Sequence, residues 1–172
     1  MANRIPAPAP ARRQRGVAAV EFALVSLLFF TLLFGILEMG RMLFVYNTLQ
    51  EVTRRGAREA VVRWVDQTDA IKTLALFGGT ALPAGPEITA ANISIEYLNK
   101  DNNVVVLAPL DPGDNLSACG DVTRTASCIY SVRVAVNNVV YSPASSLFGM
   151  LNIALPSSSV TMHAESLGFN VN

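Results

Sequence analysis

A single charge interrupts the first long apolar run of the chain. Val17 to Leu37 is 21 residues dominated by Val, Ala, Leu and Phe, and Glu21 is its only ionised side chain. A helix of that length spans about 31 Å, enough to cross a bilayer core of about 30 Å. The pattern then changes without a helix breaker. Val45, Leu49, Val52, Gly56, Ala60 and Trp64 recur at spacings of three and four, while Gln50, Glu51, Arg54, Arg55, Arg58 and Glu59 fall mostly off that line. This is one face of an amphipathic helix. The spacing predicts that the membrane helix continues to about Val65, with Asp66 and Asp69 marking its end or the start of another turn. Residues 70–77 read as a short helix stopped by Gly78-Gly79. An apolar stripe emerging from a membrane must be covered, and the nearest cover is the C-terminal part of the same chain.

Beyond Gly78 the composition shifts toward β-branched residues. Gly78–Pro86 reads as a linker or loop. Ile93–Tyr97 alternates as a half-buried strand does, Asp101-Asn102-Asn103 reads as a turn, and Val104–Leu107 as the returning strand. Asp111-Pro112-Gly113-Asp114 is a second turn signal. Tyr130–Val136 alternates again, and Ser158–Phe169 does so more weakly. Ser142–Leu155, broken by Ser, Pro and Gly, is left unassigned. The predicted fold class is α+β: a long N-terminal helix and a small antiparallel sheet of three or four strands.

Charge and cysteine placement give the topology. The chain holds 13 basic and 13 acidic residues, so bulk charge argues for no nucleic-acid partner. Arg4, Arg12, Arg13 and Arg15 carry all the charge of residues 1–16, which leaves the remainder at −4. A basic head beside an apolar run is the positive-inside pattern. It predicts a cytoplasmic N-terminus and a translocated remainder. Pro6, Pro8 and Pro10 make the head an extended tail. A removable secretory signal should have an apolar core of roughly 7–15 residues and a small-residue cleavage site. Here the run leads instead into Glu38-Met39-Gly40-Arg41. The same missing site argues against reading Arg12-Arg13 as a twin-arginine signal. Cys119 and Cys128 lie nine apart in the translocated part. An oxidising compartment permits a disulfide there, worth about 2–3 kcal/mol on the chain-entropy model. The alternative is two free thiols.

The chemistry concentrates at the start of the apolar run. Arg12-Arg13-Gln14-Arg15-Gly16-Val17-Ala18-Ala19-Val20-Glu21-Phe22 sets one carboxylate five residues past a glycine. A charge inside a membrane helix costs roughly 2.5–3.5 kcal/mol at the centre and less near the interface, and a plain anchor needs none. The arrangement resembles the processing and assembly signal of the type IV pilin superfamily. That signal is a basic leader cut after Gly, a Glu at the fifth mature position, and a hydrophobic helix. With Phe34-Gly35-Ile36-Leu37-Glu38-Met39-Gly40-Arg41 and Arg54-Arg55-Gly56-Ala57-Arg58-Glu59-Ala60, the chain is similar to the TadE-like family. These are the minor pilins or pseudopilins of tight-adherence (Tad/Flp) pilus systems. The resemblance covers about residues 12–62. Two departures stand out. Ser26-Leu27 occupies the region where many relatives have a proline, and Phe22 follows the Glu where many major pilins have Tyr.

The resemblance implies cleavage between Gly16 and Val17, and an assembly role for Glu21. Cleavage would free the Val17 amine one helical turn before Glu21. A carboxylate unpaired in low dielectric is driven toward its neutral form, and an amine partner favours the charged form. Burial in a bundle of such helices then depends on axial register. The bland alternative places Glu21 among headgroups, aided by the positive helix N-terminus. The implied divisions are a leader (1–16), a transmembrane segment (17–38), an amphipathic helical continuation (39–77) and an exported β-rich domain (78–172). The implied partners are a prepilin peptidase, other pilin subunits and an inner-membrane platform with its cytoplasmic ATPase. The implied location is a bacterial inner membrane, with the C-terminal domain periplasmic.

Other candidates are weaker. Gly35 and Gly40 permit close helix approach but are five apart, off the usual spacing of four. Glu38 and Arg41, three apart, read either as a mutual pair or as a solvated rim. Arg54, Arg55, Arg58 and Arg63 read as a hydrated face, with anionic lipid or an acidic neighbour as the sharper alternative. His163 is the only histidine, so a metal site is not expected, and Asp111, Asp114 and Asp121 match no EF-hand spacing. Asn92-Ile93-Ser94 and Asn115-Leu116-Ser117 fit a glycosylation sequon that is common by chance. No Walker, Gly-x-Ser-x-Gly or HExxH motif is present. The sequence is therefore read as a non-catalytic structural protein without a cofactor. The rival reading is an uncleaved signal anchor whose exported domain binds a surface ligand such as a glycan.

Overall fold

The computed structural model describes residues 15–169 except Pro83, so residues 1–14 of the predicted leader, including Arg4, Arg12, Arg13 and the proline tail, lie outside the described residues. One helix, α1 (Arg15–Val62), runs for 48 residues, about 72 Å at 1.5 Å per residue. No proline interrupts it, and its apolar half is rich in Leu, Ala and Phe. The chain then makes a short 3-10 turn (Val65–Gln67) and returns as α2 (Thr68–Ala75) against α1. A small hairpin, β1 (Ala81–Leu82) and β2 (Gly85–Thr89), leads to β3 (Ile93–Leu98). A loop and α3 (Pro112–Gly120) precede β4 (Ser131–Val136). A second short pair, β5 (Val140–Tyr141) and β6 (Ile153–Ala154), precedes β7 (Ser158–His163).

The main sheet is antiparallel in the order β3-β4-β7. Its register puts Ile95, Val134 and Val160 in one row and Tyr97, Val132 and Met162 in the next. These side chains face α1, and Val132, Val134 and Val136 are buried. Glu96, Arg133 and Thr161 form a row on the other face, where Arg133 pairs with Glu96 at 3.2 Å. From α1 the core receives Val45, Leu49, Val52, Ala57, Ala60 and Val61. The predicted stripe is therefore the covered face, with Trp64 half-buried at its end. Burying Val45, Leu49 and Val52 contributes about 1.5–3 kcal/mol each. The end of α1 is closed from the C-terminal segment: the Glu165 and Leu167 N–H groups both donate to the Val61 carbonyl. This satisfies an acceptor that a helix terminus leaves open.

Several expectations are corrected. Val104–Leu107 forms no strand beyond a single bridge between Leu98 and Val104. The run is continuously apolar instead of alternating, and only Val105 finds the core. The Asn99 side chain holds the preceding turn by accepting from the Asp101 and Asn103 N–H groups. The second turn signal starts a helix: Asp111 caps α3 by accepting from the Asp114 N–H at 2.8 Å, with Pro112 at the first helical position. Asp-Pro suits a helix start as well as a turn. The Gly78–Pro86 linker contains the β1 strand and the start of β2, with Leu82 and Gly85 buried. The unassigned Ser142–Leu155 stretch is the connection between β5 and β6, including a 3-10 turn at Ser146–Phe148, together with β6 and Leu155.

Cys119, at the end of α3, is joined to Cys128, which is buried just before β4. The bridge ties α3 to the start of the central strand. Asn115 adds to the tie: its side chain accepts from the Ile129 N–H and donates to the Ile129 carbonyl.

Gly56 marks the closest approach of α1 to its cover. A Cβ there would sit 3.2 Å from Val134 Cγ1 and 3.4 Å from Ala75 Cβ. Gly56→Leu is expected to destabilise the full chain by about 1–3 kcal/mol through overpacking. Gly40→Leu, in open space, should cause no such loss. Denaturant titration in detergent, followed by Trp64 fluorescence, compares the two. For the bridge, thiol labelling of denatured protein taken from its native envelope should find no reactive cysteine before reductant is added. Reduction should then lower stability by about 2–3 kcal/mol.

Candidate functional site on the long helix

The predicted site residues Gly16, Val17 and Glu21 all lie in the first two turns of α1 and are exposed. Nothing approaches Gly16 within 4 Å of a would-be Cβ. Val17 and Glu21 are four apart and so share one helix face. Among the described residues no side chain hydrogen-bonds to Glu21. The domain leaves this half of the helix bare: from Gly16 to Leu37 no residue is buried, and Phe22, Val25, Phe29 and Ile36 all stand exposed. One helix among the described residues is long and apolar enough to cross a membrane.

A second cluster sits where α1 leaves the apolar run, and its partners lie 46 to 107 residues away in sequence. Glu38 and Arg41 do not pair with each other; each is taken up by the C-terminal part of the chain. The Tyr141 hydroxyl donates to Glu38 Oε2 at 2.6 Å, and the Ser145 N–H donates to Glu38 Oε1 at 2.7 Å. Arg41 donates to Glu87 Oε1 and to the Ser142 carbonyl at 2.8 Å, and its guanidinium lies 4.9 Å from the Tyr141 ring centre. Tyr141 is thus buried between a carboxylate and a cation. Burial raises the pKa of its hydroxyl, and the hydrogen bond to Glu38 acts in the same direction. The phenol therefore remains a neutral donor at physiological pH. The spacing of Glu38 and Arg41 was the only sequence signal for this cluster, and neither the mutual pair nor the solvated rim read from it is what forms.

The remaining candidates have structural employment. Arg63 pairs with Glu59 at 3.1 Å, and Arg55 lies 4.7 Å from the Phe77 ring centre, while Arg54 and Arg58 are exposed. Asp114 accepts from the Leu110 N–H and pairs with Arg124 at 2.8 Å, and these contacts lower its pKa. Asp121 accepts from the Thr123 N–H and hydroxyl. His163 meets Tyr130 edge-on. Asn92 accepts from the Thr89 N–H and donates to the Asn137 and Asn138 carbonyls. Among the described residues no three His, Cys, Asp or Glu side chains converge to hold a metal.

Residues 16–58 match the family model described as TadE-like protein. The match covers nearly all of α1, about a quarter of the chain. It includes Gly16, Val17, Glu21, Glu38, Arg41 and Gly56, and none of the sheet. No curated protein and no solved structure matches the chain.

The Glu38–Tyr141 bond invites a double-mutant cycle. Tyr141→Phe leaves Glu38 with one partner fewer and should cost about 1–3 kcal/mol, the range for an acceptor left short of a donor. Adding Glu38→Gln should cost less than the sum of the two single changes, because both remove the same bond. Denaturant titration of the four full-length proteins in detergent measures this.

Proposed function

We propose that the chain is a structural minor pilin or pseudopilin of a Tad/Flp-type pilus, processed between Gly16 and Val17. The observation that carries the reading is the uncovered N-terminal half of a TadE-like helix, with Val17 and Glu21 on one exposed face. The exported domain covers only the other half, so the bare half is free to pack against lipid before assembly and against other pilin helices within it. Its apolar length supports single-pass anchoring in a bacterial inner membrane. The basic head supports a cytoplasmic N-terminus and a periplasmic domain. The partners in this reading are the prepilin peptidase, other pilin subunits and the inner-membrane platform with its ATPase.

In a bundle of such helices, the new amine of Val17 offers a positive charge to the Glu21 of a neighbour. The pair is satisfied only at one axial offset, so it selects register. Removing one partner of a buried pair costs about 3–5 kcal/mol, which shifts an assembly equilibrium by about a hundredfold or more. Glu21→Val is expected to insert normally, since it removes a charge from an apolar segment, and to lose association with pilus components. Cross-linking and co-purification read association, membrane fractionation reads insertion, and N-terminal sequencing reads processing. A mature chain beginning at Val17 is expected. A chain that retains its head, or a processed Glu21→Val protein that assembles normally, would favour the uncleaved anchor whose domain binds a surface ligand.

A further inference from the structure

The loop joining β5 to β6 is an exposed apolar part of the exported domain. From Val134 to Met162 the chain has no Asp, Glu, Lys, Arg or His. Within that run Leu147, Met150, Leu151 and Ile153 are exposed, and Met150 is 97% accessible. Exposed apolar patches of this kind mark interaction surfaces. What they meet is set by where they are held.

Two contacts fix the position. The Ser145 N–H is bonded to Glu38, and Phe148 Cζ lies 3.6 Å from where a Cβ of Gly35 would be. Gly35 is inside the apolar run, about 3 Å below its Leu37 end at 1.5 Å per residue. The loop is therefore level with the last turn of the membrane segment and continuous with its bare surface. The two ionised residues of α1 at that level, Glu38 and Arg41, are both engaged by the domain. No free charge of α1 stands between the loop and the apolar helix beside it. Elsewhere on the domain, the exposed apolar side chains Val104, Val106, Leu107 and Leu110 lie in a stretch bounded by Asp101 and Asp111, and Val122 follows Asp121.

We infer that the Pro143–Ile153 loop is seated in the outer leaflet, at the boundary between headgroups and acyl chains, and gives the exported domain a second hold on the bilayer. The inference rests on α1 spanning the membrane, as in the function proposed above. The occupant is a lipid surface because the patch is uncharged, continuous with the lipid-facing helix and at the height where that helix ends. Interfacial seating of this kind draws on buried apolar area. It also fixes the rotation of the domain about α1, since only one side of the helix carries the loop.

The test uses the full chain with Met150→Cys, labelled with a polarity-sensitive fluorophore and reconstituted into phosphatidylethanolamine–phosphatidylglycerol vesicles. The Cys119–Cys128 bridge leaves the introduced thiol as the reactive one. Phe29→Cys reports the span and Val122→Cys the aqueous side of the domain. The Met150 label is expected to emit to the blue of the Val122 label. It should be quenched more by lipids carrying a nitroxide near the headgroup than by deep-labelled lipids. The Phe29 label should show the opposite depth preference. A water-like Met150 label beside a lipid-quenched Phe29 label would overturn the inference and leave the span intact. A Phe29 label beyond reach of lipid nitroxides would overturn the span, and the inference with it. A blue-shifted Met150 label that lipid nitroxides do not quench, and that reverts on dilution with excess lipid, would overturn it in favour of contact with a second copy.

Discussion

Within the proposed function, everything in this molecule depends on one helix meeting two solvents. The first half of α1 is apolar all round, so it has no preferred face and suits lipid. The second half is apolar along a stripe from Val45 to Val61, and that stripe is stable in water only under a cover. The β3-β4-β7 sheet provides it with Val132, Val134 and Val136, and α2 extends it with Ile71 and Ala75. Without the helix, the apolar face of the sheet would stand in water and lose the gain of burial. The helix and the sheet therefore complete one core, and neither half of the contact is dispensable.

The boundary between the two solvents is where charge has to be managed. Glu38 and Arg41 sit on the last turns before the covered stripe, at a depth where free ions cost energy in lipid. The domain bonds both of them: Tyr141 and Ser145 hold the carboxylate, and Glu87 with the Ser142 carbonyl holds the guanidinium. Glu87 keeps its second oxygen, Oε2, buried without a hydrogen-bond partner. Each of these bonds also ties a distant stretch of chain to α1, so neutralising the charges and orienting the domain are one event. Glu21 stands in contrast. No described side chain takes it up, and within the proposed function its partner comes from outside the chain.

Local patterns were legible, and long-range partners were not. The spacing of Val45, Leu49, Val52, Gly56 and Ala60 names the covered face of α1 because the helical period is a property of neighbours in sequence. The alternation in Ile93–Tyr97 and Tyr130–Val136 names two strands for the same reason. It fails at Val104–Leu107, which is apolar without alternation, and at Asp111–Asp114, where turn and helix-cap chemistry coincide. The Glu38–Tyr141 and Arg41–Glu87 contacts bridge long separations, and no periodicity carries them. Cys119 and Cys128 were readable as a bridge because cysteine has few other uses in an exported domain. The Gly16, Val17 and Glu21 signal was readable from the resemblance, and the fold adds only that these residues lie exposed on one helix.

The absence of any break in α1 turns these separate contacts into one constraint. Glu21 and Glu38 are joined by uninterrupted helix, so they stand about 26 Å apart at 1.5 Å per residue. That is close to the thickness of a bilayer core, about 30 Å, so within the proposed function the two carboxylates stand near opposite faces of the membrane, and the continuous helix couples their depths. Glycine is placed in keeping with this. Gly56 admits the sheet and α2, and Gly35 faces Phe148, while neither bends the helix. A flexible joint between membrane segment and domain would let Glu21 find its register independently of the domain. The rigid rod forbids that, so any packing that fixes Glu21 also fixes the height and rotation at which the β-domain is presented.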